Sequence, residues 1–187
     1  IPGECPNDAL MASPEEVKKV WDWAKQVFGD EKPSLSKSAI PITVRRQDFN
    51  VLRFGESCME TPITIGSQSF QHGLGTHANS EIAITLPAGA KQFKAFVGID
   101  NNYDTGGIRG SVEFRIEIDG KELYRSPILK GGNEPVPVSV DIPAEAKELV
   151  LLVGTTDDGP SHDQSDWADA QLVMADGRIL WLDENQN

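Results

Sequence analysis

The sequence is poor in cysteine, in positive charge and in long apolar runs. Of its 187 residues only two are cysteines, Cys5 and Cys58, too few for a disulfide scaffold. No apolar run approaches the roughly 20 residues of a membrane-spanning helix, so no membrane span is expected. Lys and Arg number 17 against 29 Asp and Glu, which gives a net charge of −12. Because nucleic-acid phosphates would repel such a surface, a nucleic-acid partner is not expected.

Motifs of catalysis and of metal binding by cysteine are also missing. The chain contains no CxxC spacing, no GxSxG nucleophile elbow, no HExxH and no phosphate-binding glycine loop. His77, Ser80 and Asp166 can be drawn as a triad, but these are common residue types in polar loops. Carboxylates are numerous enough to pair by chance, and none lies in a recognisable catalytic context. We therefore expect a protein that binds a ligand and is not an enzyme.

The pattern from residue 41 onward predicts an all-β domain over 41–187. Apolar residues alternate with charged ones over 112–118, as in a half-buried strand, and Asp119-Gly120 predicts a tight hairpin turn. Short strands with Pro, Gly and Asp turns and no helices between them indicate an antiparallel β-sandwich. We predict strands near residues 42–44, 51–54, 63–65, 68–72, 81–86, 92–98, 111–118, 121–125, 136–141, 148–155 and 168–174, with a further one near 178–182.

Residues 1–40 have a different character and are expected to form an arm, one N-terminal α-helix and a linker. Ser13 is a good N-cap, Pro14 suits the first helical position, and apolar residues recur at helical spacing up to Phe28. A helix over residues 14–28 is therefore predicted. Cys5 in the arm either pairs with Cys58 or stays a free thiol, and the sequence leaves both alternatives open.

Two polar stretches interrupt the strand pattern and are the candidate ligand-binding regions. Residues 70–82 contain two of the three histidines and two glycines, a composition that is not typical of a strand or helix interior. Residues 157–170 contain five aspartates, His162 and Trp167. An aromatic face beside carboxylates and amides suits a sugar. The alternatives are hydrogen-bonded loops, with Trp167 as the first inward residue of a strand.

Four segments in their order and spacing resemble a known family. They are GLGTHANSEI, FKAFVGID, VEFRIEIDGKELYRS and SDWADAQL, and the similarity covers residues 44–174. The resemblance is to the NPCBM family, also classed as carbohydrate-binding module family fifty-one. It implies a jelly-roll, galactose-binding-domain-like sandwich that is secreted, periplasmic or on the cell surface. Members of this family accompany large glycoside hydrolases and recognise galactose and galactose-containing glycans, so a terminal galactose-type sugar is the expected ligand.

The resemblance also nominates the binding residues. His77 and Asn79 match the family's THANSE stretch, and Asp166 and Trp167 match its DWADA stretch. The family's common Asp-His-Ala just before DWADA is replaced by Asp163-Gln164-Ser165, with a histidine two positions earlier at His162. Either Gln164 takes the place of the family's histidine, or the protein binds a different glycan.

A structural calcium is a further expectation, since many β-sandwich sugar modules hold one. Calcium prefers six to eight oxygen ligands, and Asp100, Asp104 and Asp163 lie in oxygen-rich turns. The alternative is that these acidic loops are simply solvated. Tyr103 is a second aromatic candidate for sugar contact. Two other functions stay open, namely a module that only positions a neighbouring catalytic domain and a protein-interaction or adhesion domain.

Overall fold

The computed structural model describes residues 40–184. These residues belong to the second of the two units into which the chain divides, Ser38–Asn187. The helix predicted over residues 14–28, the arm and Cys5 lie outside the described residues. Among residues 40–184 there is no helix that has the length and apolarity to cross a membrane.

Strands and turns make up the described part of the chain. In chain order the strands are β1 (Ile42–Gln47), β2 (Arg53–Phe54), β3 (Thr64–Ile65), β4 (Gln68–Ser69), β5 (Gly73–His77), β6 (Ser80–Thr85), β7 (Ala90–Ile99), β8 (Ser111–Ile118), β9 (Lys121–Arg125), β10 (Leu129–Lys130), β11 (Val136–Asp141), β12 (Glu148–Thr155), β13 (Gln164–Met174) and β14 (Ile179–Trp181).

These strands form two large antiparallel sheets. The first has the order β1-β6-β12-β8-β10, with β9 also paired to β8, and the second has the order β11-β7-β13-β5-β2, with β14 also paired to β13. A small hairpin of β3 and β4 stands apart. Successive long strands such as β5 and β6, or β12 and β13, belong to opposite sheets, an alternation that is typical of a jelly-roll.

The inward faces of the two sheets share one hydrophobic core. On β8 the alternation predicted from sequence buries Val112, Phe114, Ile116 and Ile118 while the residues between them remain partly exposed. Phe114 packs edge-on against Trp167 of the opposite sheet, with ring centroids 5.0 Å apart. The predicted antiparallel β-sandwich is thus confirmed, and β8, β9, β11 and β12 have the predicted bounds.

The glycine-rich stretch around Gly75 is a strand, and the prediction of a loop there is wrong. Residues of β5 are all buried, and β5 lies between β13 and β2 in the second sheet. A Cβ on Gly75 would lie 2.4 Å from the backbone oxygen of Glu56 and 2.5 Å from Ser57. The glycine therefore admits the backbone of the connection between β2 and β3, which covers the outer face of the sheet.

The start of β13 was also misplaced. It begins at Gln164, four residues before the predicted 168, so half of the second polar stretch is strand.

Cys58 is a buried thiol in the covering connection, and burial raises its pKa to about 12. Because Cys5 lies outside the described residues, both alternatives for this pair of cysteines stay untested.

Candidate functional site

A shallow depression of about 310 Å³ lies at the end of the sandwich where β5 stops and β13 starts. His77 is the last residue of β5, Gln164 is the first of β13, and the two are directly paired in register. The depression is lined by Phe49, His77, Asp104, Pro160, Ser161, His162 and Gln164. Two rigid strand ends therefore form its base, and the segments after β1, β7 and β12 form its walls.

The loop that carries Asp104 is shaped by its own side chains. Asn102 Oδ1 accepts hydrogen bonds from the backbone amides of Asp104 at 2.9 Å and Thr105 at 3.0 Å. Thr105 Oγ1 donates to the carbonyl of Asp100 at 2.6 Å. Asn and Thr favour such local bonds to the backbone, and this Asx-type closure fixes the position from which Asp104 reaches the depression.

The Asp104 carboxylate is the centre of the site. Its Oδ2 accepts hydrogen bonds from His162 Nδ1 at 3.0 Å and Gln164 Nε2 at 2.7 Å. These two bonds hold the pKa of Asp104 below its ordinary value, so the group is ionised near neutral pH. Its side chain is 37% exposed, and no hydrogen bond from residues 40–184 reaches Oδ1. Asp104 thus offers one oriented acceptor atom to a ligand.

His77 contributes a second polar atom with a defined role. Its Nδ1 is 2.7 Å from the carbonyl oxygen of Ala78, which places the proton on Nδ1 because only a donor fits there. In the neutral ring Nε2 is then an acceptor, and the described residues provide it with no partner. The ring of Phe49 tilts over His77 with centroids 5.1 Å apart. Phe49 is 47% exposed and adds an apolar surface beside these polar groups.

Of the predicted site residues, His77 and Gln164 line the depression and Asn79 does not. The Asn79 side chain joins neighbouring strands: its Oδ1 accepts from the Thr155 amide at 3.1 Å, and its Nδ2 donates to Asp48 Oδ2 at 3.1 Å. Both polar ends of Asn79 are therefore engaged within the protein.

Trp167 and Asp166 are both fully buried, on opposite faces of β13. Trp167 lies between the sheets, edge-on to Phe93 and Phe114. Asp166 lies under the connection that follows β2, where burial, with a further contribution from Asp100, raises its pKa well above the ordinary value. Neither side chain presents a surface to the depression.

The acids predicted to bind calcium do not converge. Asp100 accepts hydrogen bonds from the Thr64 amide at 3.0 Å and Asn102 Nδ2 at 2.7 Å. Asp163 Oδ1 accepts from the Ser111 amide at 2.9 Å, and Asp104 is bonded as described above. Within residues 40–184 no group of three or more His, Cys, Asp or Glu side chains is arranged to hold a metal ion. Calcium stays an untested prediction, and these three residues do not fit a single site for it.

Sequence reasoning missed Phe49 and His162 as members of the site. Phe49 lies in a short polar segment with no periodic signal, and only the fold brings it to His77. His162 has a positive φ of +66° and reaches Asp104 across 58 residues of sequence. The presence of a histidine in the aspartate-rich stretch 157–170 was the sequence signal that could have identified His162 as a site residue. Asp104 was predicted as a calcium ligand beside Asp100 and Asp163, whereas in the structure its carboxylate bonds to His162 and Gln164.

A sequence profile of the NPCBM/NEW2 domain matches residues 30–173, most of the chain. This chain belongs to the NPCBM family. The NPCBM domain is also 28% identical over 152 residues to alpha-1,3-galactosidase B of Akkermansia muciniphila, a match that covers 77% of this chain and 19% of that enzyme. The chain therefore spans about a fifth of that curated relative.

Solved structures agree with the family. The NPCBM domain superposes on a family 51 carbohydrate-binding module of a Clostridium perfringens family 95 glycoside hydrolase, bound to methyl-galactose, with a TM-score of 0.64 and 27% identity over 70% of this chain and 92% of that one. A family 51 module from C. perfringens ZmpB, solved with GlcNAc, gives a TM-score of 0.63 and 26% identity over 70% of this chain and 29% of that one. The carbohydrate-binding family predicted from the sequence is thus confirmed.

Proposed function

We propose that this NPCBM domain is a non-catalytic module that binds a terminal galactose-type sugar in the depression around Asp104. The observation that carries the proposal is the Asp104 carboxylate, which is held on one side by His162 and Gln164 and leaves Oδ1 facing no described partner. A fixed acceptor beside an apolar ring is the pairing that a sugar needs, because a sugar has hydroxyl groups at its edge and a C–H face.

Each residue has a distinct part in the proposed complex. Asp104 Oδ1 accepts a hydrogen bond from a sugar hydroxyl, and His77 Nε2 accepts one from a second hydroxyl. Phe49 packs against the C–H face, and Gln164 keeps the carboxylate in place. Charge-assisted hydrogen bonds of this type are stronger than neutral ones, which makes Asp104 the main anchor.

The size and composition of the depression favour end-on binding without catalysis. A volume of about 310 Å³ is at the lower end of ligand pockets, which suits one sugar ring at the end of a glycan. Glycoside hydrolysis requires two opposed carboxylates, and Asp104 is the single carboxylate among the described lining residues. A shallow site of this kind binds weakly alone and gains from multivalency or from an attached enzyme.

The relatives support the choice of sugar and of partner. One structural neighbour is solved with methyl-galactose, and the curated relative is named as a galactosidase. We accordingly propose that the domain directs an appended glycoside hydrolase to galactose-containing glycans, and that it acts outside the cytoplasm.

The first test is calorimetric titration with galactose, N-acetylgalactosamine and lactose, combined with NMR of the three histidine rings. His77 and His162 line the depression, whereas His72 stacks on Trp181 and bonds to Asp183, so it serves as an internal control. Saturable binding should shift the ring signals of His77 and His162 and leave that of His72 unchanged. Repeating the titration with calcium and then with chelator tests the calcium prediction.

Variants then distinguish loss of the binding site from loss of the fold. Asp104→Ala and His77→Ala should abolish measurable binding, whereas Asp176→Ala, in the exposed turn between β13 and β14, should not change it. Circular dichroism checks that each variant is folded. Flat titrations with all three sugars would refute the galactose proposal and favour a role in positioning a neighbouring domain. Binding that survives Asp104→Ala would show that the sugar lies elsewhere.

A further inference from the structure

We infer that the Asp104 site selects sugars by charge, so that a neutral galactose-type sugar binds and its counterpart with a carboxylate at C6 is rejected. The inference rests on the proposed function and assigns Asp104 a second role, as the residue that determines charge specificity. The ligand class is therefore a neutral terminal hexose, with terminal uronic acids excluded.

No Lys or Arg side chain bonds to the Asp104 carboxylate within the described residues. The carboxylate bonds to the imidazole of His162 and the neutral amide of Gln164. The nearby Arg109 donates to the backbone carbonyl of Asp104 at 3.0 Å, and not to the carboxylate. His162 and Arg109 help to lower the pKa of Asp104, but neither bonds to Oδ1, so a ligand that reaches Oδ1 meets an ionised carboxylate.

Other carboxylates on the neighbouring segments do not line the depression. Asp157 and Asp158 line a different depression together with Lys130, and Asp158 accepts hydrogen bonds from Ser111 and Thr156. Asp48 precedes Phe49, but Arg46 holds it in a bidentate pair at 2.7 and 2.8 Å and offsets its charge. His162 contributes a positive charge only when protonated. Asp104 is therefore the carboxylate that lines the depression, and its charge disfavours an approaching anion.

The hydrogen bonds predict what removal of the charge will do. Oδ2 of Asp104 accepts two hydrogen bonds, so an asparagine at this position must place its only oxygen there. Its amide nitrogen then occupies the position of Oδ1 and presents a donor to the ligand. Asp104→Asn should therefore weaken galactose binding and improve the relative binding of a carboxylate.

Three matched probes test the inference by calorimetry: galactose, galacturonic acid and the methyl ester of galacturonic acid. The acid and its ester share a ring and differ in charge. We expect the wild-type protein to bind galactose and the ester, and to bind the acid at least about tenfold more weakly, because two like charges within one small, partly exposed depression repel each other. Raising the salt concentration should narrow this gap.

The variants complete the test. Asp104→Asn should remove most of the difference between acid and ester. Asp176→Asn removes one carboxylate near the opposite end of β13, roughly 30 Å away along the strand, and should leave the difference unchanged. Equal affinity of the wild type for acid and ester would overturn the inference while the proposed function stands. If no neutral sugar binds at all, the proposed function fails and the inference fails with it.

Discussion

The sequence left open whether Trp167 contacts a sugar or packs in the core, and replacing it with phenylalanine distinguishes these two roles. The side chain has no exposed surface and lies in the core between the sheets. It meets Phe114 at 5.0 Å with the rings 89° apart and Phe93 at 6.1 Å with the rings 65° apart. We predict that Trp167→Phe lowers stability and leaves sugar affinity unchanged.

The magnitude follows from what each substitution removes. Replacing a buried tryptophan with alanine costs about 3–5 kcal/mol, the sum of lost transfer energy and the cavity left behind. Phenylalanine keeps one aromatic ring for the edge-to-face contacts, which are worth about 0.5–1.5 kcal/mol each. Trp167 Nε1 is buried and has no hydrogen-bond partner among the described residues, so no such bond is lost. We therefore expect about 1–2 kcal/mol for Trp167→Phe, near the average for point mutations.

Urea unfolding followed by circular dichroism measures the change in the free energy of unfolding. In thermal unfolding, Trp167→Ala should lower Tm by roughly 6–20 °C, and Trp167→Phe should lower it by much less. Calorimetry with galactose then checks binding well below the Tm of each variant. A folded Trp167→Phe protein of normal stability that had lost its affinity for sugar would refute the reasoning and return Trp167 to the binding site.

Three further predictions concern the scaffold of the site. The pKa of Asp166 is raised in the folded state, so above about pH 4 the unfolded chain releases a proton that the folded protein retains. The free energy of unfolding therefore falls as the pH rises above that value. Asp166→Asn should reduce this slope, measured by urea unfolding at several pH values. Gly75→Ala should destabilise the protein by about 1–3 kcal/mol or more in thermal unfolding, because its Cβ would overlap backbone atoms. Asn79→Ala should cost about 1–3 kcal/mol in urea unfolding, because it leaves the Thr155 amide without its acceptor.

The Gly75→Ala prediction has a matched control. Gly154→Ala adds the same methyl group where the nearest atom is 4.0 Å away, and it should change stability little. Equal losses from Gly75→Ala and Gly154→Ala would contradict the packing argument. A full pH slope retained in Asp166→Asn would show that another group carries it.

The sequence by itself determined the β-sandwich and the family. Alternation over 112–118 and the Asp119-Gly120 turn are local patterns, and both are reproduced in the structure. The family motifs also nominated His77 and Gln164, which the structure places at two paired strand ends beside the depression. Such features are readable because neighbouring residues alone decide them.

Tertiary structure decided what each polar residue does. Gly75 looks like a loop residue until the connection after β2 is seen to pack on it, and Asp166 looks like a ligand contact until the same connection is seen to bury it. Asp104 acquires its role from His162 and Gln164, which lie 58 and 60 residues further along the chain. Burial and hydrogen-bond partners depend on which distant segments meet, and a pattern of neighbouring residues does not contain that information.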